Sequence, residues 1–72
     1  MNTITEYEKA KMFFSREIMI HIKRKDGIFL NGYIKEVNTD FFIMVDRING
    51  ETFVYFEELA HTIEPFKVGS GK

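Results

Sequence analysis

Three groups of side chains in this sequence are suited to holding a ligand. The first is Lys23-Arg24-Lys25, the densest run of cations, set just ahead of an Asp26-Gly27 pair. Three positive charges at one turn can hold phosphates; they also suit a solvated hairpin end. The second group is Asn38 and Asp40, which flank a turn. An amide and a carboxylate there can read the edge of a nucleobase, or they can satisfy the turn's own backbone, as Asn and Asp commonly do. The third group is aromatic. Phe42 follows that turn on the strand face opposite Phe41, Ile43 and Val45, and Tyr55 lies in a later apolar segment. An aromatic ring open to solvent can stack a base for roughly 1–3 kcal/mol. The alternatives are that Phe42 covers the helix or a neighbouring subunit and that Tyr55 belongs to the core or an interface. Arg16 with Lys9 and Lys11 forms a second basic group or ordinary helix surface, and Glu57-Glu58 would repel phosphates.

Catalysis is not expected. Ser15 and Ser70 are the only serines, His21 and His61 the only histidines, and cysteine is absent. No nucleophile, base and orienting group fall together, and no glycine-rich phosphate loop is present. Two histidines without thiolates are too few for a protein-only zinc cage. His21 sits among isoleucines and reads as structural. Neither a metal nor a cofactor is expected.

These residues must be positioned by a very small domain. The 72 residues suffice for a single domain spanning 1–72, with a net charge of -1. A chain of this size buries only about 60% of its unfolded surface, and without disulfides or metal it depends on an efficient core, on self-association or on both. Hydrophobic residues at 44% and aromatics at 15% supply the apolar surface for either. The near-neutral charge excludes coating of nucleic acid by bulk charge, so such binding would need a local patch. No apolar run approaches the roughly 20 residues that span a bilayer. The first residues, 1–6, lack the basic-then-apolar pattern of a leader, and a cytoplasmic location is the expectation.

The periodicity predicts one helix and five strands. Residues 3–15 carry apolar side chains at helical spacing (Ile4, Tyr7, Ala10, Phe14, with Phe13 beside them), and either Thr3–Glu6 or Thr5–Glu8 fits a capping box. From residue 17 to 66 the period is two. Ile18, Ile20 and Ile22 alternate with Met19, His21 and Lys23, and the Asp26-Gly27 turn follows. In the second strand Leu30, Gly32 and Ile34 share a face and Val37 falls out of phase, which predicts a bulge or sharp bend near the glycine. The third strand starts at Phe41, and Asn49-Gly50 is the strongest hairpin signal. The fourth strand covers 51–56 and is apolar on both faces, a short connection follows at Glu57-Glu58-Leu59, and the fifth strand covers 61–66 with Pro65 suited to an edge. Residues 67–72 read as a flexible tail. The expected fold is mainly β: an N-terminal α-helix followed by a strongly bent five-stranded antiparallel barrel of the SH3-like kind.

Two segments resemble the Sm-like family. In the first, Gly27 is followed by an apolar residue three positions on (Leu30), a second glycine (Gly32), and then Asn38, Phe41, Ile43 and Val45 at the family's spacing. The second runs from Phe53 to Pro65 and is similar to the bacterial Hfq branch, in which a Val-Tyr pair precedes a short turn and an apolar strand ending in proline. The resemblance covers about 3–66. It implies that the fourth strand of one copy pairs with the fifth of the next, closing a homo-hexamer or homo-heptamer ring that binds single-stranded RNA. Phe56 and Glu57 stand where the bacterial branch carries Lys-His, the Arg-Gly of the other branch is absent, and Asn38 replaces an acidic residue. The implied RNA-binding residues are Asn38, Asp40, Phe42, Tyr55, Lys23, Arg24 and Lys25. An SH3-like or Sm-like structural or protein-interaction module without RNA binding is the competing expectation.

Overall fold

The structure, a computed structural model, describes residues 5–66. The expected tail at 67–72 and the first two residues of the expected helix lie outside them.

Of the two capping boxes available, the one at Thr5 forms. Thr5 Oγ1 accepts from the Glu8 amide at 3.1 Å, and the Glu8 carboxylate accepts from the Thr5 amide at 3.2 Å. Thr5 is itself extended (φ -74, ψ 161), so helix α1 covers Glu6–Ser15 rather than starting at 3. The helix ends in a turn where the Ile18 amide donates to Phe13 O at 3.0 Å and the Glu17 amide to Phe14 O at 3.2 Å, with Glu17 left-handed (φ 55). That turn folds Ile18 back toward the core beside Phe13. Ala10 and Phe13 form the buried face, and the expected Tyr7 and Phe14 are exposed.

The strands are β1 (Ile20–Lys23), β2 (Phe29–Val37), β3 (Phe41–Asp46), β4 (Gly50–Tyr55) and β5 (Glu64–Pro65), with a 3-10 turn at Phe56–Glu58. They form one antiparallel sheet in the order β4-β3-β2-β1-β5. The sheet does not close on itself. β4 pairs only with β3 and β5 only with β1, so each leaves one edge unpartnered within the chain. β5 is shorter than expected, and Ile18 precedes β1 instead of belonging to it. The core joins Ile20, Ile22, Leu30, Ile34, Phe42, Met44, Val54 and Ile63 of the sheet and its connections to Ala10 and Phe13 of the helix.

Two features bend β2 across this core. A Cβ on Gly32 would lie 1.8 Å from the carbonyl oxygen of Val45, so only glycine lets the β2 and β3 backbones approach this closely. Two residues later the register shifts: Ile34 pairs with Met44 but Glu36 pairs with Ile43, leaving Lys35 as the extra residue of a bulge. This is the phase slip expected from Val37, which lies half-buried against the core beyond the bulge.

The end of β3 is organised by Asp46, buried at 5% exposure. One carboxylate oxygen accepts from the Asn31 amide at 2.8 Å. The other accepts from the Ile48 amide at 3.0 Å, the Asn49 amide at 2.8 Å and the Asn49 side chain at 3.2 Å. The connection therefore runs through Arg47–Asn49, and Gly50, not Asn49, takes the positive φ (78). Burial pushes the Asp46 carboxyl up, but the donated hydrogen bonds from Asn49, Asn31 and Ile48 outweigh it and hold the group below the ordinary carboxylate value.

Two outcomes follow. Gly32→Ala should prevent cooperative folding, read as loss of a thermal transition by circular dichroism, because backbone and not a movable side chain occupies the space. Asp46→Ala should cost about 1–3 kcal/mol near neutral pH. A carboxyl lowered by folding stabilises above its unfolded value, about 3.9, and loses that contribution as pH falls through the folded value. The stability gap between Asp46→Ala and the unaltered protein should therefore narrow below about pH 4; urea titrations across pH would show a constant gap if the account were wrong.

Candidate nucleic-acid interface

The β1–β2 hairpin sets its outer face by register. His21 lies opposite Asn31 and Lys23 opposite Phe29, while Ile20, Ile22, Leu30 and Gly32 take the buried face. His21 Nδ1 is 2.5 Å from Asn31 Oδ1. Since a carbonyl oxygen only accepts, Nδ1 is the donor in this pair. The His21 ring stacks on Phe29 with centroids 5.5 Å apart and planes 15° from parallel. Lys23 Nζ sits 5.3 Å from the Phe29 centroid, within cation–π range. Phe29 is 55% exposed despite these contacts. A cleft of about 400 Å³ beside it is lined by His21, Lys23, Phe29, His61, Thr62 and Glu64. Aromatic rings, a cation and groups able to accept or donate are thus side by side on an open surface.

The far wall of this cleft is held by the helix. Glu6 accepts from the Thr62 hydroxyl at 2.7 Å and the Ile63 amide at 2.9 Å, and Lys9 Nζ donates to Thr62 Oγ1 at 2.5 Å. Lys9 is thereby engaged and Lys11 lies over the Tyr7 ring at 5.0 Å, contacts that suit the helix-surface alternative better than a basic patch with Arg16.

The remaining residues singled out from the sequence fall in different places. Arg24 is paired with Asp26, which raises the Arg24 guanidinium above its usual value and, with the Ile28 amide, holds the Asp26 carboxyl below its own. Lys25 is exposed and outside both ion pairs found among the described residues. Asn38 does turn chemistry: its amide bonds Phe41 O at 2.8 Å and its side chain donates to Glu36 at 2.9 Å. Asp40 and Tyr55 line a second cleft, of about 380 Å³, with Thr39, Phe56 and Glu57.

Phe42 is not a stacking residue. It is 0% exposed, packed among the core residues with its ring 5.5 Å from Phe56, and has no free face for a base. The β3 register puts Phe42, Met44 and Asp46 inward and Phe41 outward, where the Phe41 ring meets Tyr55 at 5.2 Å and Phe53 at 5.5 Å. Tyr55, in turn, is not a core residue, being 44% exposed.

Sequence reasoning missed Phe29, His21 and Asn31 as a cluster. The signal was present in β2, where Phe29, Asn31 and Tyr33 alternate against Leu30, Gly32 and Ile34, but it needed the hairpin register to bring Lys23 and His21 alongside. The sequence matches no protein-family model and no curated protein. Among the described residues no helix is long and apolar enough to cross a membrane.

The two phenylalanines should separate cleanly. Phe42→Ala should lose about 3–5 kcal/mol, enough to unfold a domain this small, whereas Phe29→Ala should change stability by no more than about 0.5–1 kcal/mol. Chemical denaturation of the two variants reads the difference.

Proposed function

We propose that this chain is a ring-forming Sm-like protein that binds single-stranded RNA. The observation that carries the reading is the open cluster on β1–β2: a stacked Phe29–His21 pair, Lys23 over the same ring, and the Asn31 amide adjoining. Single-stranded nucleic acids are held by such combinations, with rings stacking bases, cations meeting phosphates and polar groups touching base edges. Lys25 extends the positive charge along the turn. Arg24 contributes less, since Asp26 already offsets its charge.

Assembly is supported by the two unpartnered edges. Both ends of the sheet expose backbone groups able to pair, and exposed edges invite pairing with another chain. Phe53 on β4 is 53% exposed, so part of the apolar load noted in the sequence lies beside one of those edges. Joining β4 of one copy to β5 of the next would use both edges and repeat the Lys23–Phe29 cluster around one face. The helix, the five strands in this order and the Sm-like spacing around Gly27 and Gly32 are consistent with that arrangement.

The test combines mass with binding. Light scattering at micromolar concentration should give a closed homo-oligomer, a hexamer or heptamer, and a monomer would overturn the ring. Uridine-rich and adenine-rich oligonucleotides should bind, with affinity falling as salt rises. If Lys23 and Lys25 each meet a phosphate, the slope of log affinity against log salt is about -1.4 per copy engaged. Lys23→Ala with Lys25→Ala should flatten that slope, and Phe29→Ala should weaken binding by roughly 1–3 kcal/mol. Absence of binding to every oligonucleotide at low salt would overturn the RNA reading.

A further inference from the structure

A second aromatic surface lies on the outer face of β3–β4 and has the opposite charge. Phe41 and Tyr55 are direct cross-strand partners, as are Ile43 and Phe53, so all four lie on the face opposite Phe42 and Val54; there Phe53 and Tyr55 are exposed, Phe41 is half-buried and Ile43 is buried. The Phe41 ring bridges Phe53 and Tyr55. At one end this face runs into the cleft lined by Thr39, Asp40, Tyr55, Phe56 and Glu57. Asp40 and Glu57 are exposed, and neither is in an ion pair among the described residues. No lysine or arginine lines the cleft.

This combination selects its occupant by charge. A nucleic-acid strand brought here meets two carboxylates and no cation. A guanidinium in the cleft meets the Tyr55 ring, whose negative face attracts a cation and which packs on Phe41, and the Asp40 and Glu57 carboxylates, which offer charge-assisted hydrogen bonds. Arginine fits better than lysine because its planar group stacks on a ring while its N–H groups reach a carboxylate. We propose that the outer face of β3–β4 docks an arginine-bearing segment of a protein partner, with a guanidinium placed between the Tyr55–Phe41 rings and the carboxylates of Asp40 and Glu57. The site is complete within one chain and lies on different strands from the β1–β2 cluster, so it stands or falls independently of RNA binding.

The experiment is a titration of the isotope-labelled full chain, followed by amide NMR shifts. The probes are an alternating glycine–arginine peptide, its glycine–lysine and glycine–glutamate counterparts, and a uridine oligonucleotide. The arginine peptide should shift the amides of Asp40, Phe41, Tyr55 and Glu57, the lysine peptide should bind more weakly, and the glutamate peptide should not bind. Asp40→Asn with Glu57→Gln, near-isosteric changes at exposed positions, should leave the spectrum folded and weaken the arginine peptide by about tenfold. Tyr55→Ala should weaken it similarly, while Lys23→Ala with Lys25→Ala should leave it unchanged. Equal binding of the arginine peptide to the Asp40→Asn, Glu57→Gln variant, or oligonucleotide shifts centred on Asp40 and Glu57, would overturn the proposal. So would the absence of peptide shifts at these residues.

Discussion

The close approach of Gly32 to the Val45 carbonyl is the contact on which the rest of the structure depends. With space for no side chain between the two backbones, β2 and β3 can pack tightly enough to turn the sheet over a single small core. The bulge at Lys35 then re-aims the distal half of β2, so that Leu30 and Ile34 before it and Val37 after it all reach the same apolar cluster. A flat sheet of these short strands would present two faces to water and bury too little to hold a chain of this length. Bending lets one helix and five strands share one interior, leaving the outer faces for other work.

Those outer faces differ in chemistry because the strands that carry them differ. The β1–β2 hairpin brings Lys23, His21, Asn31 and Phe29 together through its register, next to the exposed Lys25. The β3–β4 hairpin brings Phe41, Phe53 and Tyr55 together in the same way, but its flanking turns supply Asp40 and Glu57. A net charge near zero hides this division. The two ends are nevertheless tied mechanically. The Lys25 amide bonds Glu58 O at 2.8 Å and the Ala60 amide bonds Lys23 O at 2.8 Å, fastening the segment after β4 to the turn after β1. The clasp from Glu6 and Lys9 to Thr62 and Ile63 adds the helix to the same framework, so the wall of the β1–β2 cleft is set by residues more than fifty positions away in sequence.

Local patterns carried most of the secondary structure: the Thr5–Glu8 cap, the two-residue alternation, the Asp26-Gly27 turn and the phase slip at Val37 are all properties of neighbouring residues, and each has its counterpart in the fold. The differences arose where long-range packing competes with local signals. Ala10 and Phe13, not Tyr7 and Phe14, are buried against the sheet, and Ile18, returned by the turn at Glu17, packs with them. Three of the four bonds that Asp46 accepts converge on the Arg47–Asn49 connection, which makes it longer than an Asn-Gly pair suggests. The fifth strand is short because Thr62 and Ile63 are engaged by Glu6 before β5 begins.

The amino-acid sequence alone determined that the chain forms a small, mainly β domain with an N-terminal helix, a bend near Gly32 and a concentrated basic turn, because these depend on residue type and spacing within a few positions. Which aromatic rings face outward was decided only by tertiary structure. Phe41 and Phe42 are chemically identical neighbours, and a strand alternates without announcing which side will be covered. The covered side was settled when β2 bent over β3 and the helix closed above it, placing Phe42 in the interior, leaving Phe29 and Tyr55 exposed and Phe41 half-buried on the outer face.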